Sequence, residues 1–306
     1  MRCPVRTGLA RVLDGEVDVL RGKRLGLVVN HTAVDVDLYH IVDLLCSSSS
    51  SSSSSSKSAV GAVVAVAPSL APSPVVSIAE GRSERLGFKI ACLFGPEHGV
   101  RGDAQDMVGV NSTHDSVTGV PMYSLYGDTV ESLYPRPEML EGLDAVVFDI
   151  QDVGSRYYTY ASTLLHMLEV CGRAGVEVVV LDRPNPINGV DVEGGLIRDG
   201  YGSFVGRYQV PNRHGMTVGE LALFANDRAK LGCRLSIVGM VGWRRELFYD
   251  QTGLSWVSPS PNMPNLDSAL VYPGMCLIEG TELSEGRGTT RPFEQVGAPY
   301  VSYAEA

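Results

Sequence analysis

Apolar residues along this chain come in short unbroken runs separated by polar loops rich in glycine and proline. Unbroken runs suit strands that are covered on both faces, whereas a half-wet strand alternates. Residues 24–29, 89–94, 144–150 and 176–181 are four such runs, and residues 235–240 form a fifth. Between them the spacing lengthens to that of helices. Residues 157–174 predict a helix that stops at Gly175, and residues 217–231 predict another, with Thr217 as N-cap, Glu220 three positions on and Gly232 as the stop. A third helical segment spans residues 36–46. Alternating strands and helices predict an α/β fold: a parallel sheet with helices on both faces.

In a parallel sheet the carboxyl ends of all strands share one edge, and ligands bind there. The four strongest runs end in polar loops, which brings Asn30, Glu97, Asp152, Arg156, Asp182 and Asn185 toward one cleft. The loop after the second run is the richest in chemistry. In Gly95-Pro96-Glu97-His98-Gly99-Val100-Arg101-Gly102, Pro96 ends the strand and three glycines permit tight turning beside a ligand. An acid, an imidazole and a guanidinium lie within five residues there, although Glu97 and Arg101 could also simply pair across the loop.

An unbroken serine run from Ser47 to Ser56, followed by a stretch rich in Ala, Pro, Ser and Val, predicts a disordered insertion at about 47–86. From about Cys233 the pattern becomes irregular and proline-laden, so the expected division is a domain over 1–232 and a smaller, truncated α+β C-terminal domain over 233–306. That second part carries Glu279-Gly-Thr-Glu282-Leu-Ser-Glu285-Gly-Arg287-Gly-Thr289, three carboxylates and an arginine among glycines.

Composition narrows the partners. Among 306 residues, the 20% charged fraction is that of a soluble globular chain, and the net charge of −10 argues against nucleic-acid and anionic-membrane partners. Six scattered cysteines read as reduced core thiols, and neither a signal peptide nor a membrane-spanning run is visible, so a cytoplasmic protein is expected. The chain lacks a GxGxxG after the first strand, a P-loop, a GxSxG elbow and any CxxC or HExxH metal spacing. No cofactor and no metal are expected. What remains is carboxylates among Arg, Asn and Tyr, and two carboxyl groups flanking a glycosidic bond suffice to hydrolyse it.

Four long motifs, Phe94–Gly102, Phe148–Tyr160, Leu181–Gly189 and Glu279–Thr289, resemble in order those of the exo-β-N-acetylmuramidase NamZ family, formerly DUF1343. The resemblance covers residues 22–301 apart from the serine insertion. It implies a Rossmann-like N-terminal domain without a nucleotide, a site between it and a smaller C-terminal domain, and release of non-reducing-terminal N-acetylmuramic acid from peptidoglycan fragments. The substrate would be a small muramic-acid-containing saccharide or muropeptide. The resemblance makes Glu97 the leading catalytic residue. The second carboxylate is Glu285 or Glu282, with Asp149 or Asp152 behind them. Arg101, Arg156 and Arg287 are candidates for the lactyl carboxylate; Asn30, His98, Tyr158, Asp182 and Asn185 complete the expected sugar site. The alternative is a relative that binds amino sugars without cleaving them.

Overall fold

A computed structural model of the chain describes residues 5–46, 82–102 and 113–301. In chain order its elements are α1 (Gly8–Leu13), β1 (Arg24–Val29), α2 (Ile41–Leu45), α3 (Arg82–Arg85), β2 (Lys89–Gly95), β3 (Thr113–His114) and β4 (Pro121–Ser124). There follow β5 (Ala145–Asp149), α4 (Thr159–Ala174), β6 (Glu177–Leu181), α5 (Val218–Arg228), β7 (Leu235–Val238) and α6 (Leu266–Met275). The strands form one sheet in the order β3-β4-β2-β1-β5-β6-β7. Every pairing is parallel except that of β3 with β4 at the edge. The sheet grows outward from β1 in both directions, so β1 and β5 flank a topological switch point of the Rossmann kind.

The unbroken apolar runs are explained by two cores. Leu25, Leu27 and Val29 point to one face and pack with Leu9 and Val12 of α1 and Ile41 of α2. Val28, Phe94, Val146, Phe148 and Val178 point to the other and pack with Leu164 and Leu168 of α4 and Ala222 of α5. Alternate residues thus serve opposite faces, and both are dry.

The helix ends follow the expected chemistry. Gly175 takes φ +69° and closes α4, a left-handed position that glycine adopts without strain. Thr217 and Glu220 form a reciprocal capping box at α5, a cap of about 1 kcal/mol. The expected helix over 36–46 is shortened to α2, because Asp35 Oδ1 accepts from the backbone of Asp37 and Tyr39 and holds a turn there instead. Within the expected disordered insertion, residues 82–85 form α3; residues 47–81 lie outside the described residues.

Strand β7 pairs in parallel with β6, so the sheet runs on past the division expected after residue 232. Beyond it, the proline-laden stretch folds around α6, whose N-cap Asn265 accepts from the Ser268 amide at 2.8 Å. Met263, Ala269, Tyr272 and Phe293 from this segment join the core beneath β2 and β5. Among the described residues, no helix is long and apolar enough to cross a membrane.

Candidate active site

Three hydrogen bonds lay the C-terminal segment across the strand ends. His31 Nε2 meets the Ser258 carbonyl at 2.6 Å, the Tyr160 hydroxyl donates to the Pro259 carbonyl at 2.5 Å, and the Tyr157 hydroxyl donates to the Pro273 carbonyl. Between sheet edge and segment lies a cleft of about 290 Å³. Glu97 and His98 from the loop after β2 line it, with Tyr157, Tyr158 and Thr159 at the start of α4 and Ser260, Glu279 and Arg287 from the covering segment.

Glu97 reaches the cleft through a tight turn. The Gly99 amide donates to the Pro96 carbonyl at 2.9 Å, and His98 sits in the left-handed region at φ +70°. The Glu97 side chain is held by Thr159, whose hydroxyl donates to Oε2 at 2.8 Å. On the opposite wall, Arg287 is paired with Glu279 and lies 3.3 Å from Glu285. Its guanidinium stands over the Phe293 ring, with a centroid distance of 5.4 Å.

Beneath the cleft the strand ends supply buried polar groups. Tyr158 lies within electrostatic reach of Glu97, Asp152 and Arg287; its hydroxyl is near Ser260 but lacks good hydrogen-bond geometry. Asp152 accepts from the Gly154 amide at 2.8 Å through Oδ2, while its Oδ1 meets no donor among the described residues. Gly154 is required there: at φ +81°, a side chain would collide with Asn185 Oδ1 at 2.4 Å. His214 Nδ1 accepts from the Met216 amide at 3.1 Å, which leaves the proton of the neutral ring on Nε2, 3.8 Å from Asp152.

Burial shifts these two groups in opposite senses. It raises Asp152 to about 7 and lowers His214 to about 4. Against the ordinary 6.5, folded His214 binds fewer protons than unfolded His214 between about pH 4 and 6.5, so its contribution to stability is lost as pH falls through that window. Against the ordinary 3.8, folded Asp152 binds more protons, so its contribution is lost as pH rises toward 7. The His214→Gln variant keeps only the second effect. Its melting temperature, followed from pH 4 to 8, is expected to peak at lower pH than that of the wild type; an unmoved optimum would show that His214 titrates normally.

Several expected site residues have other duties. Arg101 does not enter the cleft: it forks onto Asp43 at 2.7 and 2.9 Å and onto Asp115 at 2.9 and 3.0 Å, pinning the loop after β2 to α2. Asp149 is fully buried in a bidentate pair with Arg183, at 2.5 and 2.9 Å. Asp182 accepts from the Thr217 hydroxyl and the Gly219 amide, which anchors α5, and burial raises it to about 6. Asn185 bridges the Met216 carbonyl and the Ile187 amide. Arg156 donates to the carbonyls of Gly195 and Val210 outside the cleft. Asn30 is buried beside the switch point and accepts from Thr32 through Oδ1. Glu285 is buried behind Arg287, and Glu282 is exposed; neither lines the cleft.

The sequence reading missed Glu279 as the acid of its loop that lines the cleft, and it missed His214 and Thr159. His214 was accessible to the same strand-end logic that found the others, because its loop connects β6 to α5 at the shared edge.

Comparisons with known proteins identify the relatives of this chain. A family model described as "Exo-beta-N-acetylmuramidase NamZ, N-terminal" matches residues 73–267, and its C-terminal counterpart matches residues 270–306. The peptidoglycan β-N-acetylmuramidase NamZ of Bacillus subtilis (strain 168) is 42% identical over 301 residues. That alignment covers 98% of this chain, which spans 63% of the length of the relative. Crystal structures of two DUF1343 family proteins from Bacteroides fragilis NCTC 9343 superpose with TM-scores of 0.79 and 0.73 at 37% and 30% identity. They cover 99% and 97% of this chain, and 68% of each neighbour. With one model matching well over half of its residues, the chain belongs to the exo-β-N-acetylmuramidase NamZ family.

Proposed function

We propose that this protein is a glycoside hydrolase that releases N-acetylmuramic acid from the non-reducing end of peptidoglycan-derived saccharides. The observation that carries the reading is the meeting of Glu97 and Arg287, 190 positions apart in the chain, in one aromatic-lined cleft. Glu97 donates its proton to the glycosidic oxygen as the bond from the anomeric carbon breaks. Water then adds to that carbon and gives up its proton to a carboxylate. Glu279 is the second carboxylate facing the cleft, and Asp152 acts from below it as a positioning group. Family membership and the name of the Bacillus subtilis relative support the substrate class.

Arg287 is the group that reads the lactyl carboxylate. Arg101 and Arg156 make their contacts outside the cleft, whereas Arg287 lines it beside Glu279. The wild type is expected to release N-acetylmuramic acid from a chromogenic β-N-acetylmuraminide and to cleave the matching glucosaminide, which lacks the lactyl group, far more slowly. Arg287→Met should lower kcat/KM for the muraminide by roughly 10- to 100-fold, the range of a charge-assisted hydrogen bond, with little effect on the glucosaminide. Equal losses on both would remove Arg287 from this role, and a wild type inert toward the muraminide would sink the reading itself.

A further inference from the structure

The Glu97 cleft has a neighbour. Tyr157 and Val205 line it on one side and, on the other, a second hollow of about 420 Å³ that also includes Arg156, Arg198 and Tyr201. We propose that this second hollow is the leaving-group subsite: it takes the neutral N-acetylated sugar next to the one released, and Arg198 takes the carboxylate of the unit beyond. This rests on the hydrolase reading of the first cleft and names how a longer substrate lies across the protein.

Size is the first argument. At about 290 Å³ the Glu97 cleft is at the small end of ligand sites, suited to one sugar unit, so the rest of a chain must leave over a rim. The rim shared with another hollow is the Tyr157–Val205 ridge.

The ridge and the hollow are built features. The Tyr157 hydroxyl donates to the Pro273 carbonyl and accepts from Asn212 Nδ2 at 2.8 Å, and the Arg156 guanidinium stands over its ring with a centroid distance of 5.6 Å. Arg156 also ties down both ends of the loop that forms the far wall, through the carbonyls of Gly195 at 2.8 Å and Val210 at 2.7 Å. The Ser162 hydroxyl holds the middle of that loop by donating to the Phe204 carbonyl at 2.7 Å.

What the loop displays is the second argument. Tyr201 is 76% exposed, a large ring held out in water. Arg198 is exposed, and its guanidinium makes no hydrogen bond or ion pair among the described residues. An aromatic face beside a sugar-sized hollow suits the apolar face of a pyranose, and a guanidinium suits a carboxylate.

The test compares two substrates and one product-side ligand. Arg198→Ala and Tyr201→Ala lie outside the catalytic cleft. Each should lower kcat/KM by about tenfold on a three-sugar fragment with terminal N-acetylmuramic acid, and by less than about twofold on methyl β-N-acetylmuraminide, whose aglycone is too small to fill the hollow. Equal losses on both substrates, or none on either, overturn the subsite. Calorimetry with the disaccharide N-acetylglucosaminyl-N-acetylmuramic acid is independent of turnover: the wild type should bind it, and Arg198→Ala about tenfold more weakly. Absence of binding, or binding unchanged in Arg198→Ala, overturns the subsite even if the muraminide is cleaved. Inactivity on both substrates with Arg198-dependent binding overturns the hydrolase reading and keeps the subsite.

Discussion

Replacing Glu97 by glutamine is expected to lower kcat on a β-N-acetylmuraminide by about 10³-fold while KM changes little, within the range that one acid–base group supplies. The exchange leaves no proton that the side chain can give up and take back, but it keeps the shape. The Thr159 hydroxyl, which donates to Glu97 Oε2 at 2.8 Å, can donate to an amide oxygen equally well, so the melting temperature should barely move. Steady-state kinetics with a thermal melt separates chemistry from folding. Activity within about threefold of the wild type would remove Glu97 from the proton transfer.

Asp149→Ala should behave in the opposite way. Asp149 looks in sequence like another strand-end acid, but its carboxylate is spent on Arg183, whose side chain is only 5% exposed. Removing it strands a guanidinium in the interior, and breaking such a pair costs about 3–5 kcal/mol. For a chain of this size that lowers the melting temperature by roughly 10 °C. The double variant Asp149→Ala, Arg183→Met should recover much of the loss, because the uncompensated charge has gone with its partner. A stable Asp149→Ala variant with weakened sugar binding would return Asp149 to the site.

The contrast between these acids shows how far the sequence could be read. The runs that became β1, β2, β5 and β6 were legible because a strand buried on both faces must be continuously apolar. Their shared edge followed from parallel pairing, and so did the position of Glu97 at that edge. The partners of each side chain at that edge were not legible. Arg101 stands four residues from Glu97, yet it turns to Asp43, 58 positions earlier, and to Asp115, 14 positions later. No local pattern encodes either contact. The Glu279–Thr289 loop was equally opaque, because an irregular segment has no period from which to read orientation. The short 3-10 turn Cys276–Gly280 puts Glu279 in the cleft and leaves Glu282 in solvent. Helix α6 was hidden by Pro273, which suggested a break, although Asn265 was an ordinary N-cap signal. His214 lay within reach of the strand-end logic, since its loop joins β6 to α5, but the burial and the acidic neighbour that single it out are not written in the residues beside it.

The position of the scissile bond decides whether this cleft is the hydrolytic site. A crystal structure of the Glu97→Gln variant with an uncleaved saccharide ending in β-N-acetylmuramic acid measures that directly. The terminal ring should occupy the cleft, with its glycosidic oxygen within hydrogen-bond distance of the side chain at position 97 and its lactyl carboxylate on Arg287. The next sugar should pass over Tyr157. A terminal ring bound elsewhere, or a glycosidic oxygen out of reach of position 97, would contradict the assignment of this cleft as the hydrolytic site.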